Sequence, residues 1–206
     1  MKKYMLLLAF VAFADCNAQT NVIQAATASD ERIEMLQNIG NIYFTDGDIE
    51  NALDTFQRIL AIDPSHKGAR SLIGLIYFNT SRYKLAIENM TALVEDYPED
   101  YQTLNNLAWV YATSKDSAHR DAKKAIDLAQ QALVLAPYDH HVWSTLSEAY
   151  YVSGEYEKAN RAILHLVTLA TTKGAKMTEK MVQTYNDQIQ KCRRAIEAEK
   201  LLREGQ

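Results

Sequence analysis

The sequence predicts an all-α protein made of stacked helix hairpins, and three features predict it. A 34-residue period runs through the middle of the chain, apolar residues recur at helical spacing inside each period, and a proline closes each of the first three periods. No strand-like alternation competes with that pattern.

The chain opens Met1-Lys2-Lys3, followed by an apolar run from Tyr4 to Ala14 and then Asp15-Cys16-Asn17-Ala18-Gln19. A basic head, an apolar core and small residues near a cut describe a secretory leader, here 1–18. The run is too short to cross a bilayer, which takes roughly 20 helical residues. Cleavage after Ala14 or after Ala18 fits the leader, and the second leaves the more usual distance from the apolar core. Cys16 opens an alternative, a mature chain lipidated at that residue, although Asp15 places a charge where the lipidation motif takes a small residue. The polar segment 19–28 is expected to be a disordered lead-in.

The first repeat, 29–66, sets the pattern with Leu36, Ile39, Gly40, Tyr43, Gly47, Ala52, Phe56, Leu60 and Pro64. Adding 34 to each number gives the second, 67–100: Arg70, Ile73, Gly74, Tyr77, Ser81, Ala86, Met90, Val94 and Pro98. The third, 101–139, restarts with Leu104, Leu107, Ala108 and Tyr111 and closes with Ala125, Ala129, Leu133 and Pro137. Its closing proline lies 39 residues after Pro98, so five extra residues sit between Tyr111 and Ala125. The fourth, 140–173, carries Trp143, Leu146, Ser147, Tyr150, Gly154, Tyr156 and Ala159.

Each period holds two helical stretches, A and B, joined by a turn at Gly47, Ser81 or Gly154. Gly40, Gly74, Ala108 and Ser147 are small where helix A meets helix B, and Ala52, Ala86, Ala125 and Ala159 are their small partners. Pro64, Pro98 and Pro137 stop helix B because proline cannot continue a helix and restricts the residue before it. Helix 177–203 then covers the open end of the stack, with Thr178 as its N-cap. Met181, Tyr185, Ile189, Cys192 and Ile196 form its apolar stripe, which makes Cys192 a packing residue.

These motifs resemble the tetratricopeptide-repeat (TPR) family of exported bacterial type across about 33–172, most closely at Trp143-x-x-Leu146-Ser147-x-x-Tyr150. The resemblance implies a right-handed solenoid of four hairpins plus a C-terminal capping helix, with helix A of each repeat lining a concave groove. Two departures stand out: Arg70 replaces a large apolar residue, and Thr172 replaces the last proline. The family's groove positions fall here on Glu34, Gln37, Asn41, Phe44 and Thr45 in the first repeat and on Gly68, Ser71, Leu75, Phe78 and Asn79 in the second. In the third they fall on Gln102, Asn105, Trp109, Ala112 and Thr113, and in the fourth on His141, Ser144, Glu148, Tyr151 and Val152.

That set has no lysine or arginine, which argues against the family's clamp for a peptide C-terminal carboxylate. Its amides and hydroxyls can bond a peptide backbone, while its aromatics offer apolar anchors. The candidate groove is therefore Gln37, Asn41, Phe44, Ser71, Leu75, Phe78, Asn79, Gln102, Asn105, Trp109, Ser144, Glu148 and Tyr151, and the partner is an extended or helical protein segment.

The chain carries 22 Lys and Arg against 26 Asp and Glu, a net charge of −4. Loss of Lys2, Lys3 and Asp15 with the leader moves it to −5. Such a chain has no clustered cations for nucleic acid, and contact with a membrane is expected only through a lipidated Cys16. No Cys-x-x-Cys, His-Glu-x-x-His, Gly-x-Ser-x-Gly or phosphate-cradling glycine cluster occurs, so no enzyme, cofactor or metal site is expected. The reading is an exported scaffold or adaptor of the periplasm or cell envelope, with a lipid-anchored envelope assembly factor as the alternative.

Overall fold

The computed structural model describes residues 27–172 and 178–205. The leader at 1–18, both cleavage points and Cys16 lie outside the described residues, as does most of the lead-in. Thr27 and Ala28, assigned above to the disordered lead-in, are already helical, which shortens it at that end.

The described helices are α1 (27–46), α2 (Ile49–Ile62), α3 (Lys67–Asn79), α4 (Tyr83–Asp96), α5 (Tyr101–Thr113), α6 (Ala122–Leu135), α7 (His140–Val152), α8 (Tyr156–Thr172) and α9 (Glu179–Glu204), with a short 3₁₀ turn at Ser117–His119. No strand occurs among the described residues. The chain divides into two compact units, Met1–Ala69 and Arg70–Gln206.

Carboxylates start several of these helices. Asp48, Asp100, Asp121 and Asp139 each accept from a backbone N–H of the following first turn. Thr178 does the same for α9 through Met181 N. Capping satisfies donors that would otherwise lack a partner and is worth about 1 kcal/mol each.

The turns between helices A and B repeat one device. The N–H groups of Asp48, Arg82 and Glu155 return to the carbonyls of Tyr43, Tyr77 and Tyr150, each five residues back. Inside those loops Gly47, Ser81 and Gly154 take the left-handed conformation (φ 81°, 61° and 84°). This is the helix-ending motif in which two N–H groups reach back to the last carbonyls. In the third repeat the same tyrosine carbonyl, that of Tyr111, is reached by Asp121, ten residues on. The five extra residues therefore loop out and the register resumes.

Close packing of A on B follows from the small residues. A Cβ added to Gly40 would stand 2.7 Å from Phe56 Cε1 in the first unit. In the second, Ala108 is fully buried, and Ser147 donates its hydroxyl to the Ala159 carbonyl at 2.9 Å. Ala86, Met90, Leu107 and Val110 form one buried cluster, and Ala108, Ala129 and Leu146 another.

Both departures from the family pattern have a physical account. Arg70 reaches Asp96 at 2.6 Å, so an ion pair replaces the apolar contact. With no proline to stop it, α8 runs for 17 residues, against 14 for α2, α4 and α6. Helix α9 packs Tyr185 and Ile189 against Ile163 and Leu166, and Cys192 is fully buried beside them on the same stripe.

Candidate peptide-binding site

Helices α5, α7 and α9 of the second unit surround two hollows that meet at Trp109. One, of about 300 Å³, is bounded by Asn105 and Trp109 from α5, His141 and Ser144 from α7, and Lys180 and Tyr185 from α9. The other, of about 410 Å³, is bounded by Trp109, Tyr151, Glu148 and Lys191, with Lys115 and Arg120 from the inserted loop. Trp109 is half-buried, and Val110 and Ala108 beside it belong to buried clusters. Its neighbour in the first hollow, Asn105, has a buried Oδ1 with no hydrogen-bond partner. A buried acceptor without a donor costs about 1–3 kcal/mol.

Five candidate groove residues thus come together: Asn105, Trp109, Ser144, Glu148 and Tyr151. Three of them are also held by α9. Ser144 donates to Gln188 Oε1 at 3.3 Å and its carbonyl accepts from Gln188 Nε2 at 3.2 Å. Glu148 accepts from Lys191 Nζ at 2.7 Å, and the same ammonium lies 4.0 Å from the ring centre of Tyr151. The capping helix is therefore a wall of the site as well as an end-cover.

Leu75 and Phe78 pack on the Ala86–Met90–Leu107–Val110 cluster, and Phe78 also meets Tyr83 at 5.8 Å between ring centres. Both remain half-buried against that cluster. In the same helix Ser71 is half-buried and Asn79 exposed, while Gln102 is exposed on α5. Gln37, Asn41 and Phe44 stand on α1 of the first unit, Asn41 exposed and the other two half-buried.

The groove positions carry no cation, but other segments bring cations to the hollows. Lys115 and Arg120 come from the insertion, and Lys180 and Lys191 from α9. Gln188 was missed for a related reason. It lies three residues after Tyr185 and three before Lys191, on the polar edge of the apolar stripe that faces α7.

Burial sets the titration of this region. It pushes the Cys192 thiol up, with the Glu148 carboxylate adding to the effect. Burial also lowers His140, helped by His141, and raises Tyr185. His140 Nδ1 lies 2.9 Å from the Tyr185 hydroxyl, a hydrogen bond between α7 and α9. In the insertion, Asp116 is held below the usual carboxylate range, mainly by the N–H of Ala118. No group of three or more metal-ligating side chains occurs among the described residues, and none of their helices is long and apolar enough to cross a membrane.

Helix hairpins closed by a tyrosine-capped turn, stacked through small residues and ended by an extra helix, define a tetratricopeptide-repeat protein. Solved structures agree on that fold. MamA (residues 41 to the end) from Desulfovibrio magneticus RS-1 superposes with a TM-score of 0.58 at 21% identity, over 70% of this chain and 78% of that one. A thermophilic TPR protein from Thermus thermophilus gives 0.60 at 16% identity, over 76% and 98%. The family model of the ChAPs, the Chs5p-Arf1p-binding proteins, matches residues 9–191, and the chain belongs to that family. It is also similar to the photosystem I assembly protein Ycf3 of Prochlorococcus marinus, 30% identical over 99 residues, which is 41% of this chain and 56% of that protein. The chain thus spans little more than half the length of that relative.

Proposed function

We propose that the protein is an exported scaffold of the cell envelope that holds a segment of another protein against Trp109. The observation that carries this is the position of Trp109, half-buried between two hollows, with the unpaired Asn105 Oδ1 one turn away. An indole in such a place offers a large apolar anchor. The names of the similar proteins point the same way, since one family is named for binding two proteins and Ycf3 for the assembly of a complex. The envelope address rests on the basic–apolar–small pattern of 1–18.

The test is affinity capture from envelope extract with wild-type protein and Trp109→Ala, together with the melting temperature of each. Truncating a central anchor costs about 2 kcal/mol or more of binding, roughly 30-fold in affinity. The expected result is a partner lost by the variant at an unchanged melting temperature. A destabilised variant that still captures the same partner would assign Trp109 to the fold instead.

A further inference from the structure

We propose that the segment held at Trp109 is acidic, with side-chain carboxylates drawn to Lys115 and Arg120 and an apolar side chain set against the indole. This rests on the reading of Trp109 as the binding centre and adds the chemistry of its partner. The larger hollow is lined by three cations, Lys115, Arg120 and Lys191, and one carboxylate, Glu148. Glu148 is already paired with Lys191. Neither Lys115 nor Arg120 lies within ion-pair distance of a carboxylate among the described residues and both are exposed, while Arg120 is near enough to help hold the Asp116 carboxyl low. Lys180 adds a fourth cation at the rim of the smaller hollow.

The chain as a whole sharpens the contrast, because it carries a net charge of −4 and yet gathers cations here. A local positive field on an acidic protein selects for anionic partners and against neutral ones, more through specificity and encounter rate than through raw affinity. Nucleic acid is the poorer match: four cations around two hollows make no continuous track for a phosphate backbone.

The probe is a short fluorescent peptide of Asp and Glu around a central Leu, blocked at both ends, beside its Asn and Gln counterpart. Anisotropy is read on the full chain, on Lys115→Glu/Arg120→Glu and on Trp109→Ala. Both reversed positions are exposed, so the double variant is expected to fold. The acidic peptide should bind at least about tenfold more tightly than its neutral counterpart, and the charge reversal should remove about tenfold of affinity. Added salt should weaken it as exposed charges are screened. Equal binding of the two peptides, an unaffected reversal variant, or tighter binding of a single-stranded oligonucleotide would overturn the proposal. Should Trp109→Ala still abolish partner capture in any of those cases, the Trp109 reading stands and only the acidic chemistry falls. Should charge-dependent peptide binding survive Trp109→Ala, the Trp109 reading falls instead.

Discussion

At the scale of single residues, the four A–B contact positions show how one requirement is met with different tolerance. An added methyl at Gly40 would meet the Phe56 ring at 2.7, 2.9 and 3.2 Å, and Phe56 is itself fully buried, so the ring has nowhere to turn. At Gly74 the same methyl meets Asn89 Oδ1 at 3.0 Å and Met90 at 3.1 Å, and Met90 is a flexible side chain. Overpacking costs about 1–3 kcal/mol, while Gly→Ala in a helix returns up to about 1 kcal/mol. Gly40→Ala is therefore expected to lower stability by about 1–2 kcal/mol and Gly74→Ala by distinctly less. Urea denaturation at unchanged slope measures both, and Phe56→Leu added to Gly40→Ala should recover part of the loss. Equal midpoints for the two alanine variants would mean the A–B contact is softer than the geometry says.

At the scale of the element, α9 both ends the stack and walls the candidate site, so its docking bears on the proposed binding. Its polar link to α7 at that end is the His140–Tyr185 hydrogen bond, with Asp139 and His141 as the other titratable neighbours. Burial lowers His140 below its ordinary 6.5, so the docked state binds fewer protons than the undocked one in the window just under that value. The stability this group contributes is present above pH 6.5 and is lost as pH falls through that window toward the lowered value. Amide exchange across 179–192, corrected for intrinsic rates, should be faster at pH 5.5 than at pH 7.5 in the wild type. His140→Gln should flatten the difference. Equal protection at the two pH values would separate α9 docking from this histidine.

At the scale of the whole chain, composition and the N-terminus make one claim between them. An acidic chain with a basic–apolar–small opening is expected to be exported and cut, and to leave Cys192 as its one cysteine. In a chain cut after Ala18, Cys192, buried in α9, would be the single thiol, no disulfide within the chain would be available, and packing between repeats would have to hold the fold. Intact mass of protein recovered from the envelope should place the first residue near Gln19, without acyl mass. A retained Met1 in the cytoplasm would remove the envelope from the proposal, and a diacylated Cys16 would favour the lipid-anchored assembly factor.

By itself the sequence determined the hairpins, their number and the place of the insertion. Those rest on local rules: helical spacing, the φ of Gly47 and Gly154, the missing N–H of proline, and small residues at fixed intervals. It also marked Trp109 and Asn105, because the resemblance places groove positions on both. Only the tertiary structure decided which neighbours the marked aromatics meet. Leu75 and Phe78 look like groove residues by position but turn to the Met90 cluster, and spacing along one helix cannot show which neighbour a side chain will find. The cations arrived the same way. Lys115, Arg120 and Lys191 lie far apart in the chain, on a loop and a terminal helix with no fixed place in the repeat, and only packing against α5 and α7 brings them to one hollow.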